Sequence, residues 1–272
     1  MIIFYDIPST LQPCKAWSPN TWKVRLVLTI LLLFAKSTLE HEAELMKNRF
    51  ILNYKSIPYR TEWIEYPDIE PHSKKLGIKP TGKKPDGTPF YTLPAIHDPS
   101  TGTSLAESFL IAEYLEETYP TTPSIFPHGT RSLQHAFQFS FIEKIGVVRP
   151  FLLATILPKL GTQRSEEYFR RTKEISLGRP VEEVPVGAEK EEMWAKFREG
   201  MNKMDECLTK TDLKGPFVMG DTISWGDFYI AAYLMWLKNV LGEDSEEWKD
   251  IASWNEGRWL DLLRAVGNQT VI

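Results

Sequence analysis

The change of pattern at residues 119–129 constrains this chain more than any other feature. The stretch reads Tyr-Pro-Thr-Thr-Pro-Ser-Ile-Phe-Pro-His-Gly. Its repeated prolines remove backbone donors and fix φ, so it reads as a linker. Ahead of it, short β-branched and aromatic runs alternate with helical patterns. Beyond it no run reads as a strand. A chain of 272 residues is long enough for two ordinary domains, and this boundary divides it into 1–122 and 128–272.

In the first part, Ile2-Ile3-Phe4-Tyr5-Asp6-Ile7 predicts a strand. The loop after it carries Cys14, but Trp17 stands where the second Cys of a redox Cys-x-x-Cys would be, so Cys14 reads as a bystander. Ser18-Pro19 then reads as a helix start, with serine as cap and proline where its missing N–H costs nothing. Free N–H groups at such a start favour an anion, and a serine hydroxyl beside them could hold a thiolate. An ordinary cap is the simpler alternative.

The helix that begins there has too many residues before the turn at 55–58. Two similar phrases lie inside it, Lys23-Val-Arg-Leu-Val-Leu and Lys47-Asn-Arg-Phe-Ile-Leu. Joining Arg25 to Phe50 gives one compact amphipathic helix, which marks residues 26–49 as a 24-residue insert. A straight helical insertion of that length adds roughly 36 Å and turns the following face by about 240°. Phe50, Ile51 and Leu52 would then point away from the core. The insert is therefore expected to fold back as a helical hairpin over 19–35 and 38–54, with Ser37 and Glu40 as a capping box. Its whole-codon length and the matching phrases at its ends resemble a retained intron.

Further on, residues 59–66 alternate as a strand, and 68–77 read as a short helix with Asp68 as cap and Gly77 as stop. Residues 78–92 read as a loop. A strand follows over 92–98 with proline at its start, then a turn at 99–103, and Ser104-Leu-Ala-Glu-Ser108 leads into a helix over 109–118. The order β-α-β-α-β-β-α predicts a small mixed sheet with helices on both faces. In the second part, helices are expected near 130–150, 165–177, 187–209, 224–240 and 246–265, with a loop at 178–187.

Composition excludes several function classes. A net charge of −4 gives no general pull toward nucleic acid or anionic membranes. Two cysteines are too few for a disulfide framework, which fits a reducing compartment such as the cytoplasm. The apolar run at 26–35 is well short of the ~20 residues needed to span a bilayer. His72, His97, His128 and His135 show no metal-ligand spacing, so no metal is expected.

Four motifs, taken in order, carry a resemblance. They are Ser18-Pro19-Asn20-Thr21-Trp22-Lys23-Val24-Arg25, Leu93-Pro94 within Thr92-Leu-Pro-Ala-Ile, Glu107-Ser108, and Gly220-Asp-Thr-Ile-Ser-Trp-Gly-Asp227. With them the chain resembles the cytosolic glutathione transferase superfamily over nearly all its length outside 26–49. The wording of its N-terminal half is most similar to the fungal etherase-related, serine-type class. The resemblance implies a thioredoxin-like, glutathione-binding domain over 1–122 and an all-helical domain over 128–272. It also implies glutathione as co-substrate, a homodimer and a cytoplasmic protein.

Carried over residue by residue, the resemblance makes Ser18 the group that stabilises the glutathione thiolate, with Asn20 beside it. A cis Pro94 would leave the Leu93 backbone to pair with the cysteinyl unit. Glu107 would meet the α-amino group and the Ser108 N–H the γ-glutamyl carboxylate. Lys83 is the candidate for the glycyl carboxylate, although the long spacing from Gly82-Lys83 to Leu93-Pro94 departs from the family pattern. Trp17 and the helical stripe Phe137, Phe141, Ile145 and Arg149 could wall a hydrophobic substrate pocket, and an apolar stripe could equally be core. Ser224 and Asp227 read as a structural capping box, with Ile223 and Phe228 as its hydrophobic staple and Gly226 where the family usually has alanine. The function expected is transfer of glutathione to hydrophobic aromatic electrophiles, including β-aryl ethers or other wood-derived compounds. The alternatives are a non-catalytic polyphenol-binding protein and a splice isoform impaired by the insert.

Overall fold

The protein is described from a computed structural model covering residues 1–11, 15–25, 54–210 and 214–269. Cys14 and the hairpin expected over 26–49 lie outside the described residues. The chain forms two compact units, one over Met1–Ile125 joined by the last residues from Gly267, the other over Phe126–Val266.

The first unit is built on a four-stranded sheet with β1 (Ile2–Asp6), β2 (Tyr59–Trp63), β5 (Ala95–Asp98) and β6 (Thr103–Ala106) in the order β2-β1-β5-β6. β1 is central, and Ile2, Phe4, Tyr5 and Asp6 are all buried, as expected of a strand covered on both faces. It runs parallel to β2 and antiparallel to β5, and β5 runs antiparallel to β6. The helices are α1 (Pro19–Arg25), α2 (Ile69–Lys75) and α3 (Ser108–Thr118). This is the mixed β/α arrangement the sequence predicts, with local corrections.

The stretch 78–92 is not all loop. It holds a two-stranded ribbon, β3 (Gly82–Lys83) against β4 (Pro89–Phe90), turned at Gly87 with φ +81°. β2 stops at Trp63 because a 3₁₀ turn over Tyr66–Asp68, with Pro67 inside it, takes over. That turn also leaves Asp68 helical (φ −94°, ψ −7°) with no side-chain cap bond, since a cap needs extended backbone. α3 is capped by the Glu107 side chain. The Glu107 carboxylate accepts the Phe109 N–H at 3.1 Å and the Leu110 N–H at 3.1 Å.

Two buried polar clusters fasten this unit. Lys55, fully buried, pairs with Glu116 at 2.7 Å and donates to Thr122 at 2.8 Å. Burial pushes the Glu116 carboxyl up, but the bonds from Lys55, Ser124 and the Ile125 N–H outweigh it and hold the group below its ordinary range. At the far end of β5, Asp98 accepts the hydroxyls of Ser100 (2.6 Å), Tyr114 (2.7 Å) and Tyr119 (2.5 Å). Burial opposes its ionisation, yet these donors bring its pKa down to about 2.

The second unit is helical: α4 (Arg131–Ile145), α5 (Arg149–Ile156), α6 (Gln163–Leu177), α7 (Gly187–Leu208), α8 (Trp225–Leu241), α9 (Glu246–Ser253) and α10 (Arg258–Gln269). The single helix expected over 130–150 breaks at Gly146, and α5 restarts with Pro150 in its first turn. A proline there needs no i−4 partner, which is why the restart falls where it does. The helix expected over 246–265 is likewise two, because Asn255, Glu256 and Gly257 take positive φ (51°, 59° and 80°). α8 is buried nearly all round, the mark of a core helix.

The α8 capping box is present. Asp227 accepts the Ser224 N–H and hydroxyl, both at 2.8 Å, and the Val218 N–H at 2.6 Å. Burial nevertheless pushes its carboxyl up to about 7. Gly226 has a reason of its own. Its N–H donates to Gln134 Oε1 at 2.7 Å, and a Cβ there would stand 3.0 Å from that oxygen and 3.2 Å from the Phe137 ring.

Candidate glutathione site

Strand register gathers the candidate residues at one end of the sheet. Tyr5, Ala95 and Ala106 lie side by side across β1, β5 and β6. The end of β1, the start of β5 and the end of β6 therefore share an edge. Leu93-Pro94 precedes Ala95, and its peptide bond is cis. Glu107-Ser108 follows Ala106, and the Glu107 N–H donates to the Pro94 carbonyl at 3.3 Å.

The chain leaves β1 at this same edge and returns through Ser18 into α1. The loop between is held by Ser9, whose hydroxyl donates to the Lys15 carbonyl (2.8 Å) and accepts the Leu11 N–H (3.2 Å). Ala16, Trp17 and Ser18 are thereby delivered to buried positions, Ser18 with 5% of its surface exposed. The Ser18 carbonyl accepts the Trp22 N–H (3.1 Å) and the Thr21 hydroxyl (3.0 Å). Its own hydroxyl makes no hydrogen bond among the described residues. Asn20 is exposed, and its amide oxygen is taken by Lys23 Nζ at 3.1 Å. Trp17 is buried with its ring 6.4 Å from Tyr66.

Leu93 is a second place where polar groups stay open. Its side chain is buried, while neither its N–H nor its carbonyl is hydrogen-bonded to the described chain. The same holds for the Ser108 N–H at the start of α3. Buried main-chain groups are nearly always partnered, so three open ones at one edge suit an extended, peptide-like ligand. Glu107 sits among them at φ +84°, ψ 125°, where a non-glycine residue is strained. Three donors on its carboxylate hold it there, the Phe109 and Leu110 N–H groups and the Ser108 hydroxyl at 3.3 Å.

A cleft of about 250 Å³ opens beside Glu107, lined also by Lys79, Thr81, Ser104, Ala106 and Leu110. It does not include Ser18, Leu93, Pro94 or Ser108. Sequence reasoning passed over Thr81 and Ser104. The one available signal was that Ser104 and Ala106, two apart on a strand, share a face. Lys83 lies exposed on the ribbon opposite Pro89, and no described contact brings it to Leu93 or Glu107.

The pocket candidates Phe141, Ile145 and Arg149 belong to the second unit. Phe141 and Ile145 are fully buried. Phe141 stacks on Phe137 at 6.5 Å and stands edge-on to Tyr229 (5.9 Å) and Tyr233 (5.8 Å). Arg149 donates to the Tyr233 hydroxyl at 3.3 Å. Among the described residues no group of His, Cys, Asp or Glu could hold a metal ion, and no helix is long and apolar enough to cross a membrane.

The sheet with its parallel β1–β2 pair, the cis-proline before β5 and the helical second unit define a thioredoxin-like domain followed by an α-helical one. Comparison with known proteins gives the class a family. Residues 132–268 match the model for the glutathione S-transferase C-terminal domain, and residues 46–118 match that for the N-terminal domain. A glutathione S-transferase-like protein of Aspergillus flavus, ustS, is 32% identical over 96% of this chain and 88% of its own length. Two solved structures are similar throughout. The glutathione S-transferase CsGST63524 of Ceriporiopsis subvermispora, determined with glutathione, is 40% identical with a TM-score of 0.85, covering 100% of this chain and 98% of its own. The glutathione transferase GSTFuA3 of Phanerochaete chrysosporium is 37% identical with a TM-score of 0.84 over the same shares. The chain belongs to the glutathione S-transferase family.

Proposed function

We propose that this protein is a serine-type glutathione transferase in which the Ser18 hydroxyl donates a hydrogen bond to the glutathione thiolate. The observation that carries it is the edge of open polar groups, namely the Ser18 hydroxyl, both Leu93 main-chain groups and the Ser108 N–H. A hydroxyl bonded to the charged sulfur favours the thiolate over the thiol and lowers its pKa. The Leu93 N–H and carbonyl match an extended cysteinyl unit. The Ser108 N–H suits the γ-glutamyl carboxylate, and the Glu107 carboxylate suits the α-amino group. The sulfur then forms a bond to an electron-poor carbon of an aromatic substrate, and the leaving group departs with the electron pair, as halide or as phenolate from an aryl ether. Domains over 1–122 and 128–272, a homodimer, a cytoplasmic setting and action on wood-derived aromatics belong to the same proposal. Asn20, Lys83 and Trp17 stay in it as flanking groups, and Phe141, Ile145 and Arg149 as candidate substrate-pocket residues of the second unit.

Ser18→Ala tests the reading with chlorodinitrobenzene as electrophile and titration calorimetry for glutathione. Turnover is expected to fall by about 100-fold, the usual cost of one charge-stabilising donor, while glutathione still binds. Unchanged turnover overturns the role of Ser18. A second reading is a protein that binds aromatic compounds without turning them over. It predicts bound aromatic ligand and no turnover in either form.

A further inference from the structure

The cleft beside Glu107 opens on an unpaired strand edge. β6 is the last strand in the order β2-β1-β5-β6, so the sheet pairs only one of its sides. The Glu107 N–H donates to the Pro94 carbonyl at 3.3 Å, which fixes the phase of the β5–β6 ladder. Bonded positions alternate in an antiparallel pair. Leu105 and Thr103 therefore bond to Ile96 and Asp98, while Ser104 and Ala106 turn their main-chain groups away from β5. Among the described residues nothing bonds to the N–H or carbonyl of Ser104 or of Ala106. Ala106 is nevertheless buried, with 7% of its surface exposed. Open groups on such an edge are a template for a further extended chain.

Ser104 and Ala106 both line the cleft of about 250 Å³, together with Lys79, Thr81, Glu107 and Leu110. Leu110, in the first turn of α3, leaves 51% of its surface exposed, apolar area that a ligand side chain can cover. The lining also selects which end of a bound tripeptide meets the cleft. Glu107, assigned above to the α-amino group, lines it, and Ser108, assigned to the γ-glutamyl carboxylate, does not. We propose that the cleft takes one further residue attached to the γ-glutamyl nitrogen, so that the protein accepts thiol peptides longer than glutathione. The added residue pairs its main chain with Ala106 and lays its side chain on Leu110. The acylated nitrogen keeps one N–H for the Glu107 carboxylate. Continuity decides the occupant, because the cleft and the γ-glutamyl site share Glu107. The inference rests on the reading that glutathione binds with its γ-glutamyl end at Glu107 and Ser108, and it widens the class of peptide taken there.

The test is titration calorimetry of the full chain with glutathione and with glutathione carrying one leucine on its γ-glutamyl nitrogen. The extended peptide is expected to bind about tenfold more tightly, roughly the factor that covering a leucine side chain supplies. That ratio is expected to fall several-fold in Leu110→Ser, a change at an exposed position. Equal or weaker binding of the extended peptide, with glutathione bound, overturns the inference and leaves the glutathione reading standing. Binding of neither overturns both. An unchanged ratio in Leu110→Ser overturns the placement in this cleft. Sedimentation of the same samples covers the remaining occupant: a dimer that Leu110→Ser dissociates would put a second copy on this edge and overturn the inference. The comparison in the unaltered protein needs no variant to fold.

Discussion

Glu107 sits in a backbone conformation that its side chain must hold in place. Its positive φ costs on the order of 1–3 kcal/mol, offset by the two helix N–H groups and the serine hydroxyl that bind its carboxylate. Glu107→Ala is expected to lower stability by about 1–2 kcal/mol through loss of the cap and to weaken glutathione binding. Glu107→Gln should recover part of the stability, since an amide oxygen can still accept. Thermal melts with and without glutathione check both. Lys55 makes a separate prediction at this scale. Removing one member of a buried pair strands the other charge, so Lys55→Met should cost about 3–5 kcal/mol. A companion Glu116→Leu change should restore most of it. Denaturant unfolding decides, and an additive double variant would show that the two groups act independently.

The two elements that close the units respond to pH in opposite directions. Asp98 ties the β5–β6 hairpin to α3, with its pKa brought down to about 2. A depressed folded pKa contributes stability that is present above the unfolded value near 3.9 and is lost as pH falls through about 2. Asp98→Asn is therefore expected to destabilise at neutral pH, with the difference from the parent shrinking toward pH 2. At the start of α8 the sign reverses. Asp227 is pushed up to about 7, so its contribution is full below the unfolded pKa and is lost as pH rises through about 7. Asp227→Asn should flatten the pH dependence between about 4 and 7, read by melts across that range. Asp227→Ala strands the Val218 and Ser224 N–H groups and should cost about 2–4 kcal/mol.

At the scale of the whole molecule, the 24 residues 26–49 are tested by their removal. A chain that joins Arg25 to Phe50 is expected to bind glutathione as well as the full chain does. Binding weaker by more than about tenfold would make those residues part of the binding fold. In either chain, glutathione at about 100 times its Kd should add about 2.7 kcal/mol to stability, because it binds only the folded form. The β-α-β-α-β-β-α order, the helical second part and the capping box at Ser224 were legible in the sequence, because each rests on local periodicity or on one cap within four residues. Where a helix breaks was not. Gly146-Val-Val and Asn255-Glu-Gly257 read as helix locally, and only the surrounding fold selects the break or the positive φ. The β3–β4 ribbon escaped for a related reason, since two-residue strands carry no period. Sequence alone singled out the residues proposed to hold the chemistry, Ser18, Leu93-Pro94 and Glu107-Ser108. Tertiary structure decided that the end of β1, the start of β5 and the end of β6 share one edge, and that the Glu107 carboxylate caps α3. Those depend on strand register and helix packing between residues far apart in the chain, which no local pattern encodes.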